Sequence, residues 1–280
     1  MTAISLIGYG EAAQAFTSDT RWAGAASVYD ILTDDPARAA AKRADYARAN
    51  VTGCATLAEA LAEATTVLSL VTADQSLAVA QSAVAHIAPS ALYFDLNSVA
   101  PGTKQAAAAL IEAAGGRFVD VAVMAPVYPT QLAAPLLVSG PHATDGCAAL
   151  TRLGFINVRE VGEAIGRAST IKMLRSVMYK GMESLTAECL IACEKAGVTD
   201  EVLGSFGADW ATDADYRLDR MMVHGLRRSA EMYESVKTLE SLGVEPLMTR
   251  GTAARQAEIG GRRIAVPPVT LKAKLERLCT

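Results

Sequence analysis

The segment that decides the fold lies at the start of the chain and reads Ile4-Ser5-Leu6-Ile7-Gly8-Tyr9-Gly10-Glu11-Ala12-Ala13. Its first residues predict a short buried strand, and the Ala-rich residues after Gly10 predict a helix. Between them, Gly8 permits a tight turn, Gly10 leaves room for a pyrophosphate, and Ala13 is small enough for the helix to pack on the strand. The first amides of the helix would bind the phosphates. The segment therefore predicts a dinucleotide site formed by Gly8, Tyr9, Gly10, Glu11, Ala12 and Ala13.

A second signal for the same cofactor follows the second predicted strand. This strand ends in Val28-Tyr29-Asp30, and Asp30 lies twenty residues past Gly10. In such folds an acidic side chain at this position binds the adenosine ribose diol. No arginine follows in Ile31-Leu32-Thr33, so we predict NAD rather than NADP. Basic residues farther along keep NADP open as an alternative, and an ordinary glycine turn beside a coincidental aspartate is the other alternative. These basic residues are Arg38, Lys42 and Arg43.

Strand and helix patterns alternate through the first half of the chain. The predicted strands are Ala3–Ile7, Ala26–Tyr29, Thr66–Val71, Leu92–Leu96, Phe118–Val123 and Pro135–Ser139. The helices predicted between them are Glu11–Thr20, Pro36–Ala49, Leu57–Ala64, Gln75–Ile87 and Thr103–Ala114. This alternation predicts an α/β fold of the doubly wound Rossmann type, with a parallel sheet covered by helices on both faces.

After about Gly162 the strand patterns end and only helical patterns remain. The first of them, over 163–195, is long, and the others cover about 200–210, 213–242, 246–259 and 269–278. We therefore predict a dinucleotide-binding domain over residues 1–161 and an all-helical domain over 162–280, joined by the long helix. The helical domain would supply substrate contacts and a dimer interface, so we expect a homodimer.

Composition agrees with two domains built on different plans. Of 54 alanines in the 280 residues, 40 precede residue 151. A hydrophobic fraction of 51% excludes disorder as the main state, and a net charge of −4 gives no support for nucleic-acid binding. We find no membrane span, signal peptide or metal-ligand motif, and five scattered cysteines predict reduced thiols. A cytoplasmic location fits these observations.

Four segments in order resemble the β-hydroxyacid dehydrogenase superfamily, which includes 3-hydroxyisobutyrate and 6-phosphogluconate dehydrogenases. After the glycine loop come Asp95-Leu96-Asn97-Ser98, then Asp120 through Pro126, then Gly162 through Lys172. The segment Met221–Gly243 looks like a less-studied branch, whose own helical C-terminal domain has mostly unassigned substrates.

The resemblance implies roles for several side chains. Lys172 matches the family lysine that takes and returns the hydroxyl proton, and Ser98 matches a hydroxyl that contacts substrate or nicotinamide. Met124 stands where the family has a substrate-binding serine, and Ser176 where it has an asparagine. Without the resemblance, Lys172 is a lysine whose stem packs beside apolar neighbours, and Ser176 a helix-packing serine.

Further residues are expected around the same site. Val71 and Thr72 end the strand before Asn97 and would line the nicotinamide-ribose side, although a plain strand–helix loop is the alternative. His224, beside two arginines, is a candidate for substrate binding from the helical domain, or a surface histidine.

The function expected from these residues is hydride transfer between a nicotinamide cofactor and a small β-hydroxy acid-like or related alcohol. Because Met124 makes the substrate pocket more apolar than the family norm, oxidative decarboxylation or imine reduction remain variants of this chemistry. The alternative from another class is a non-catalytic dinucleotide-binding sensor or scaffold, which would need the glycine loop and Asp30 but not Lys172.

Overall fold

A computed structural model describes residues 3–49, 51–207 and 209–280. The chain divides into two units, residues 1–172 and 173–280. The sequence placed the domain boundary earlier, at 161/162. The difference arises because the first turn of the long helix is bonded to the sheet of the first unit, through Ala168 and Ser169.

The first unit is an eight-stranded sheet with helices on both faces. Its strands are β1 (Ile4–Ile7), β2 (Ala26–Tyr29), β3 (Thr52–Gly53), β4 (Thr66–Ser69), β5 (Leu92–Asp95), β6 (Arg117–Val123), β7 (Leu136–Ser139) and β8 (Val158–Glu160). Its helices are α1 (Glu11–Thr17), α2 (Pro36–Arg48), α3 (Leu57–Leu61), α4 (Ser76–Ala83), α5 (Pro101–Ala113), α6 (Val127–Thr130) and α7 (Ala143–Arg152).

The strand order is β3-β2-β1-β4-β5-β6-β7-β8, so the order reverses between β1 and β4. Ligands of doubly wound sheets bind at the carboxyl ends of the strands beside such a reversal. The predicted Rossmann class is confirmed. The expectation of a wholly parallel sheet is wrong for one pair, because β7 runs antiparallel to β6. Only α6 and one further helical turn separate these strands, so the chain returns along the same edge without a long crossover helix.

Two apolar layers cover the sheet, one on each face. Phe16 of α1, Tyr46 of α2 and Leu150 of α7 belong to one core. Leu61 of α3 and Ile111 of α5 belong to the other, which also contains alanines of α4 and α5. Some alanines of this half, among them Ala80, Ala83, Ala107 and Ala108, therefore lie where helices approach the sheet, whereas others, such as Ala40 and Ala44, are exposed.

Four numbered elements of the first unit were missed in the sequence, one of them the single-turn helix α6. Both β3 and β8 are short edge strands, too brief to show an alternating pattern. The fourth is α7, which contains Gly146, a poor helix former. Structure explains this glycine, since a Cβ on it would lie 2.9 Å from Cγ1 of Val119 in the sheet. Several predicted helices also end earlier than expected, for example α1 at Thr17.

The described residues of the second unit form helices and no strand, as predicted. The long helix α8 (Arg167–Ala196) begins in the first unit and continues into the second. It is followed by α9 (Thr199–Phe206), α10 (Trp210–Ser241), α11 (Leu247–Gly261) and α12 (Leu271–Cys279). No helix of the described residues is both long and apolar enough to cross a membrane.

The closest helix packing in the second unit joins α10 to α11 at two glycines. A Cβ on Gly225 would lie 2.4 Å from the backbone oxygen of Gln256, and one on Gly260 would lie 2.3 Å from the backbone nitrogen of Leu226. Both distances are shorter than real Cβ contacts, so the two backbones touch only because neither residue has a side chain.

Buried charges also connect the helices of the second unit. Glu183 of α8 pairs with Arg228 of α10 and accepts a hydrogen bond from Gln256 of α11. Lys274 of α12 lies 2.7 Å from Asp215 and 2.8 Å from Asp219, both on α10. The cations of these pairs, Arg228 and Lys274, are buried. Loss of their acidic partners would therefore leave a buried positive charge without compensation.

Candidate active site

The glycine loop has the geometry that a dinucleotide needs. Gly8 has φ +85°, and a Cβ on it would lie 2.7 Å from the backbone oxygen of Leu70, so only glycine fits. Gly10 is different, because no described atom lies within 4 Å of the position its Cβ would take. Gly10 also caps α1, whose first residues Glu11 and Ala12 are exposed and half-buried. The loop therefore leaves open space beside the N-terminal end of α1, which fits a pyrophosphate.

Tyr9, between the two glycines, points into the protein and fixes the loop. Its ring is fully buried and packs edge-on against Tyr46 at 5.2 Å, and its hydroxyl lies 2.7 Å from Oγ1 of Thr17. Burial raises the pKa of Tyr9, so the hydroxyl stays neutral. The backbone of Tyr9 is held at both ends: its N–H donates to Asp30, and its carbonyl accepts from Nζ of Lys42 at 2.8 Å.

Asp30 lies at the carboxyl end of β2 but is largely turned inward. It is only 7% exposed, and its two carboxylate oxygens accept from the N–H groups of Tyr9 at 2.7 Å and Leu32 at 2.9 Å. Lys42 lies 3.8 Å from the same carboxylate. A carboxylate has about four acceptor sites, so two internal bonds leave capacity for a ribose hydroxyl. Besides its predicted role, Asp30 therefore supports the glycine loop.

Mutation of Gly10 should weaken dinucleotide binding without affecting folding. We expect Gly10→Ala to keep the melting temperature of the parent and to weaken dinucleotide binding at least about tenfold, because a methyl group enters the space left for the pyrophosphate. Titration calorimetry with NAD and NADP measures the affinity. Gly204→Ala in α9, which also has open space at its Cβ, is the control and should bind as the parent does. Undiminished affinity in Gly10→Ala would contradict this position for the cofactor.

Asn97 lies at the carboxyl end of β5, and its side chain bonds to the end of the neighbouring strand β4 and to the residues that follow it. Its side-chain oxygen accepts from the N–H of Val71 at 2.7 Å, and its amide nitrogen donates to Oγ of Ser69 at 3.0 Å. Asn97 is buried, while Thr72 is exposed at the end of β4. The structure thus brings Val71, Thr72 and Asn97 together at the sheet edge where the strand order reverses.

Lys172 and Ser98 form a direct pair. Ser98 follows β5, Lys172 is in the second turn of α8, and Nζ of the lysine donates to Oγ of the serine at 2.6 Å. Both side chains are partly buried. An amine that can carry a proton is therefore held beside a hydroxyl at the carboxyl end of the sheet, which is the arrangement a proton-transfer site requires.

Met124 lies close to the start of the same helix. Its side chain packs with Ala122, Leu137 and Ala168 in a small apolar cluster that also includes Ile171. The residue next to Lys172 thus belongs to the same apolar cluster as Met124. Ser176 and His224 lie in the second unit and are both half-buried, and their substrate roles stay predictions.

One group of functional candidates was not found in the sequence. Lys104 and Asp95 are fully buried together with Asp120, and they connect the segments that carry Ser98 and Lys172. A signal was present, since Asp95 and Asp120 each stand among apolar residues in a predicted strand. Among the described residues, no group of three or more histidine, cysteine or acidic side chains could hold a metal ion.

Comparisons with known proteins assign both units to known domain families. Residues 3–144, about half of the chain, match the family described as the NAD binding domain of 6-phosphogluconate dehydrogenase. Residues 194–259 match a domain of unknown function, DUF1932. The fold and the family match define a nicotinamide-dinucleotide-dependent oxidoreductase with a 3-hydroxyacid dehydrogenase-like fold. Within that class, the chain belongs to the family of the 6-phosphogluconate dehydrogenase NAD-binding domain, followed by a DUF1932 domain.

Three solved structures are similar over nearly the whole chain. A conserved hypothetical protein from Sinorhizobium meliloti 1021 is 42% identical, with 93% of this chain and 89% of that chain covered and a TM-score of 0.74. MTH1747, a conserved protein of unknown function described as similar to 3-hydroxyacid dehydrogenases, is 28% identical, with 94% and 98% covered and a TM-score of 0.70. The Mycobacterium tuberculosis 3-hydroxyisobutyrate dehydrogenase, solved with L-serine, shares the fold at 17% identity, complete coverage of both chains and a TM-score of 0.75.

Proposed function

We propose that the protein transfers a hydride between the carbinol carbon of a small β-hydroxy acid-like substrate and a nicotinamide cofactor, with Lys172 as the proton shuttle. The observation that carries the proposal is the 2.6 Å contact between Nζ of Lys172 and Oγ of Ser98. Ser98 of this pair directly follows Asn97, which binds the N–H of Val71, and both lie at the carboxyl ends of the strands, as the glycine loop does.

The mechanism follows from these positions. A bound nicotinamide dinucleotide supplies the hydride acceptor at C4 of its ring. In the oxidative direction neutral Lys172 takes the hydroxyl proton as the carbon–hydrogen bond breaks, and in reduction the ammonium returns it. Ser98 accepts a hydrogen bond from Lys172 and keeps its own proton to donate to a substrate oxygen. The chain then contributes orientation and acid–base chemistry.

The substrate we propose is bulkier or less dependent on a carboxylate than those of the family norm. Met124 supports this, because an apolar side chain packed with Ala122 and Leu137 replaces a hydrogen-bonding serine. Oxidation of a β-hydroxy acid yields a β-keto acid that can lose carbon dioxide, and an imine could replace the carbonyl in reduction. Both are variants of the same hydride transfer.

The test of this function is a turnover screen. Absorbance of the reduced nicotinamide is followed with a panel of β-hydroxy acids and aliphatic and aromatic alcohols in one direction, and with ketones and imines in the other. Turnover that requires Lys172 supports the proposal. Binding of the cofactor without turnover on the whole panel, with a Lys172 variant indistinguishable from the parent, would favour the sensor or scaffold instead.

We also propose that NAD is the preferred cofactor. The carboxylate of Asp30 faces the loop from the end of β2, and Ile31 beside it is exposed and apolar. A 2′-phosphate placed there would be repelled, so we expect a lower dissociation constant and higher kcat/KM for NAD than for NADP. Arg43 lines a neighbouring cavity of about 230 Å³ with Thr33 and Asp34, and is the residue through which NADP would bind. Equal or better turnover with NADP, lost in Arg43→Ala, would overturn this preference.

A homodimer is our proposal for the assembly. Along α8 of the second unit, apolar side chains at helical spacing remain exposed: Leu174, Met178, Met182 and Leu185. A continuous apolar face of this kind is typical of an interface. Light scattering should give twice the chain mass of 29.3 kDa, and Met178→Glu combined with Leu185→Glu should give a monomer. A monomeric parent would contradict the proposal.

A further inference from the structure

We propose that Lys104 is a positioning residue that keeps the side chains of Lys172 and Ser98 within hydrogen-bonding distance of each other. Lys104 is on α5 and is completely buried. Its Nζ donates to the backbone oxygen of Asp95 at 2.5 Å and to the carboxylate of Asp95 at 2.9 Å, and it lies 3.4 Å from the carboxylate of Asp120. The inference rests on the proposed function, because it gives Lys104 its role through that pair.

One arm of this cluster fixes the start of the helix that carries Lys172. The carboxylate of Asp120 accepts from the N–H of Ser169 at 3.2 Å, from Oγ of Ser169 at 2.8 Å and from Oγ of Ser139 at 3.0 Å. Oγ of Ser139 in turn accepts from the N–H of Ala168 at 3.0 Å. These groups belong to the first turn of α8, one turn before Lys172. Asp120 thus anchors the helix end through amides that have no partner inside the helix.

The other arm fixes the segment that carries Ser98. The carboxylate of Asp95 accepts from the N–H of Asn97 at 2.9 Å and from Oγ of Ser76 at 3.2 Å. Asn97 precedes Ser98 directly, and its own side chain holds the N–H of Val71. The position of Ser98 is therefore set by a short chain of bonds that begins at Asp95.

Lys104 is the group that joins the two arms. Asp95 and Asp120 stand opposite each other on neighbouring strands, and two buried carboxylates at this spacing repel each other. The ammonium between them offsets this repulsion, so that both carboxylates can stay close together while each accepts several hydrogen bonds. Without it, the two carboxylates would move apart, and either Ser98 or the start of α8 would move with them.

Competitive labelling reads the pair without any substrate. The full-length protein is treated with acetic anhydride at a fixed pH, and the acylation rate of Lys172 is measured by peptide mass spectrometry. Ser98→Ala removes the hydroxyl that accepts from Lys172, and its acylation rate shows how fast Lys172 reacts without this hydrogen bond. We expect Lys104→Gln to raise the rate at Lys172 toward that value, by about threefold to tenfold, the range that loss of one hydrogen bond of ordinary strength gives.

A matched control tests for general loosening. Lys274 is also a buried lysine between two aspartates, but it lies in the second unit. Lys274→Gln should leave the labelling of Lys172 at the parent rate. Should Lys104→Gln fail to fold, Ser139→Ala takes its place. This variant removes one hydrogen bond to Asp120 and one from Ala168, and leaves the three charged side chains in place.

The outcomes decide the inference separately from the function. Faster labelling of Lys172 in Lys104→Gln or Ser139→Ala, with Lys274→Gln unchanged, supports the positioning role even if no substrate is found. A parent-like rate, or a rise no larger than in Lys274→Gln, overturns it. An unchanged rate in Ser98→Ala also overturns it, since the pair would then not restrain Lys172. Failure of the turnover screen alone affects only the proposed function.

Discussion

Replacing Lys172 with methionine should lower kcat by about 10²- to 10⁴-fold, the usual contribution of one general acid–base group. Methionine keeps an unbranched apolar stem but cannot carry the hydroxyl proton. The glycine loop and Asp30 are untouched by the change, so the dissociation constant of the dinucleotide should remain within about twofold of the parent. The measurement is steady-state turnover of whichever substrate the panel identifies, together with calorimetric titration of the cofactor.

The control for this variant is Lys195→Met. Lys195 is an exposed lysine near the other end of the same helix, and its replacement should change neither turnover nor binding. If Lys172→Met retained most of the parent turnover, the proton shuttle would be another group, and the contact with Ser98 would be structural.

The second large effect is expected on stability, at the contact between α10 and α11. Gly225→Ala or Gly260→Ala should each destabilise the second unit by about 3 kcal/mol or more, at or above the upper end of the usual cost of overpacking. The added methyl group would meet backbone atoms at 2.4 and 2.3 Å, and backbone cannot turn aside as a flexible side chain does. Urea denaturation followed by circular dichroism measures the loss.

Gly251→Ala is the matched control on α11. Among the described atoms, none lies within 4 Å of its Cβ position, and it is an exposed interior position of the helix. Alanine there should stabilise the helix by up to about 1 kcal/mol, because glycine is the poorer helix former. If alanine changed the free energy of unfolding equally at positions 225, 260 and 251, helix propensity would explain all three effects, and the close contact of the two backbones would not.

Much of the fold follows from local patterns in the sequence. Ile4–Ile7, the glycine turn and the helix after it could be recognised because apolar spacing and glycine positions act over a few residues. The order of the elements then restricts the topology to a doubly wound sheet. Two edge strands and the direction of β7 could not be recognised, since the pairing of a short strand depends on its neighbours in space.

The candidate site was predicted only in part. The glycine loop and Asp30 stand in a recognisable motif and Lys172 in a segment that resembles the family, so roles could be proposed for them from the sequence. No motif shows that Asp30 would also bind the backbone of Tyr9, or that Lys104 would lie between two aspartates. These contacts join residues that are far apart in the sequence, and a buried lysine resembles any other lysine until the fold is known.

By itself, the sequence determined the class of fold and the strand, glycine turn and helix at its start, because these depend on residue types at short fixed spacings. The choice of Lys172 as proton shuttle in our proposal came from the family resemblance. Only the tertiary structure decided which hydroxyl Lys172 would meet, 74 residues away along the chain. It also decided how that pair is held, through Lys104, Asp95 and Asp120. The physical reason is that a buried charge must find its partners within a few ångströms, and which groups come that close is settled by the packing of the whole sheet.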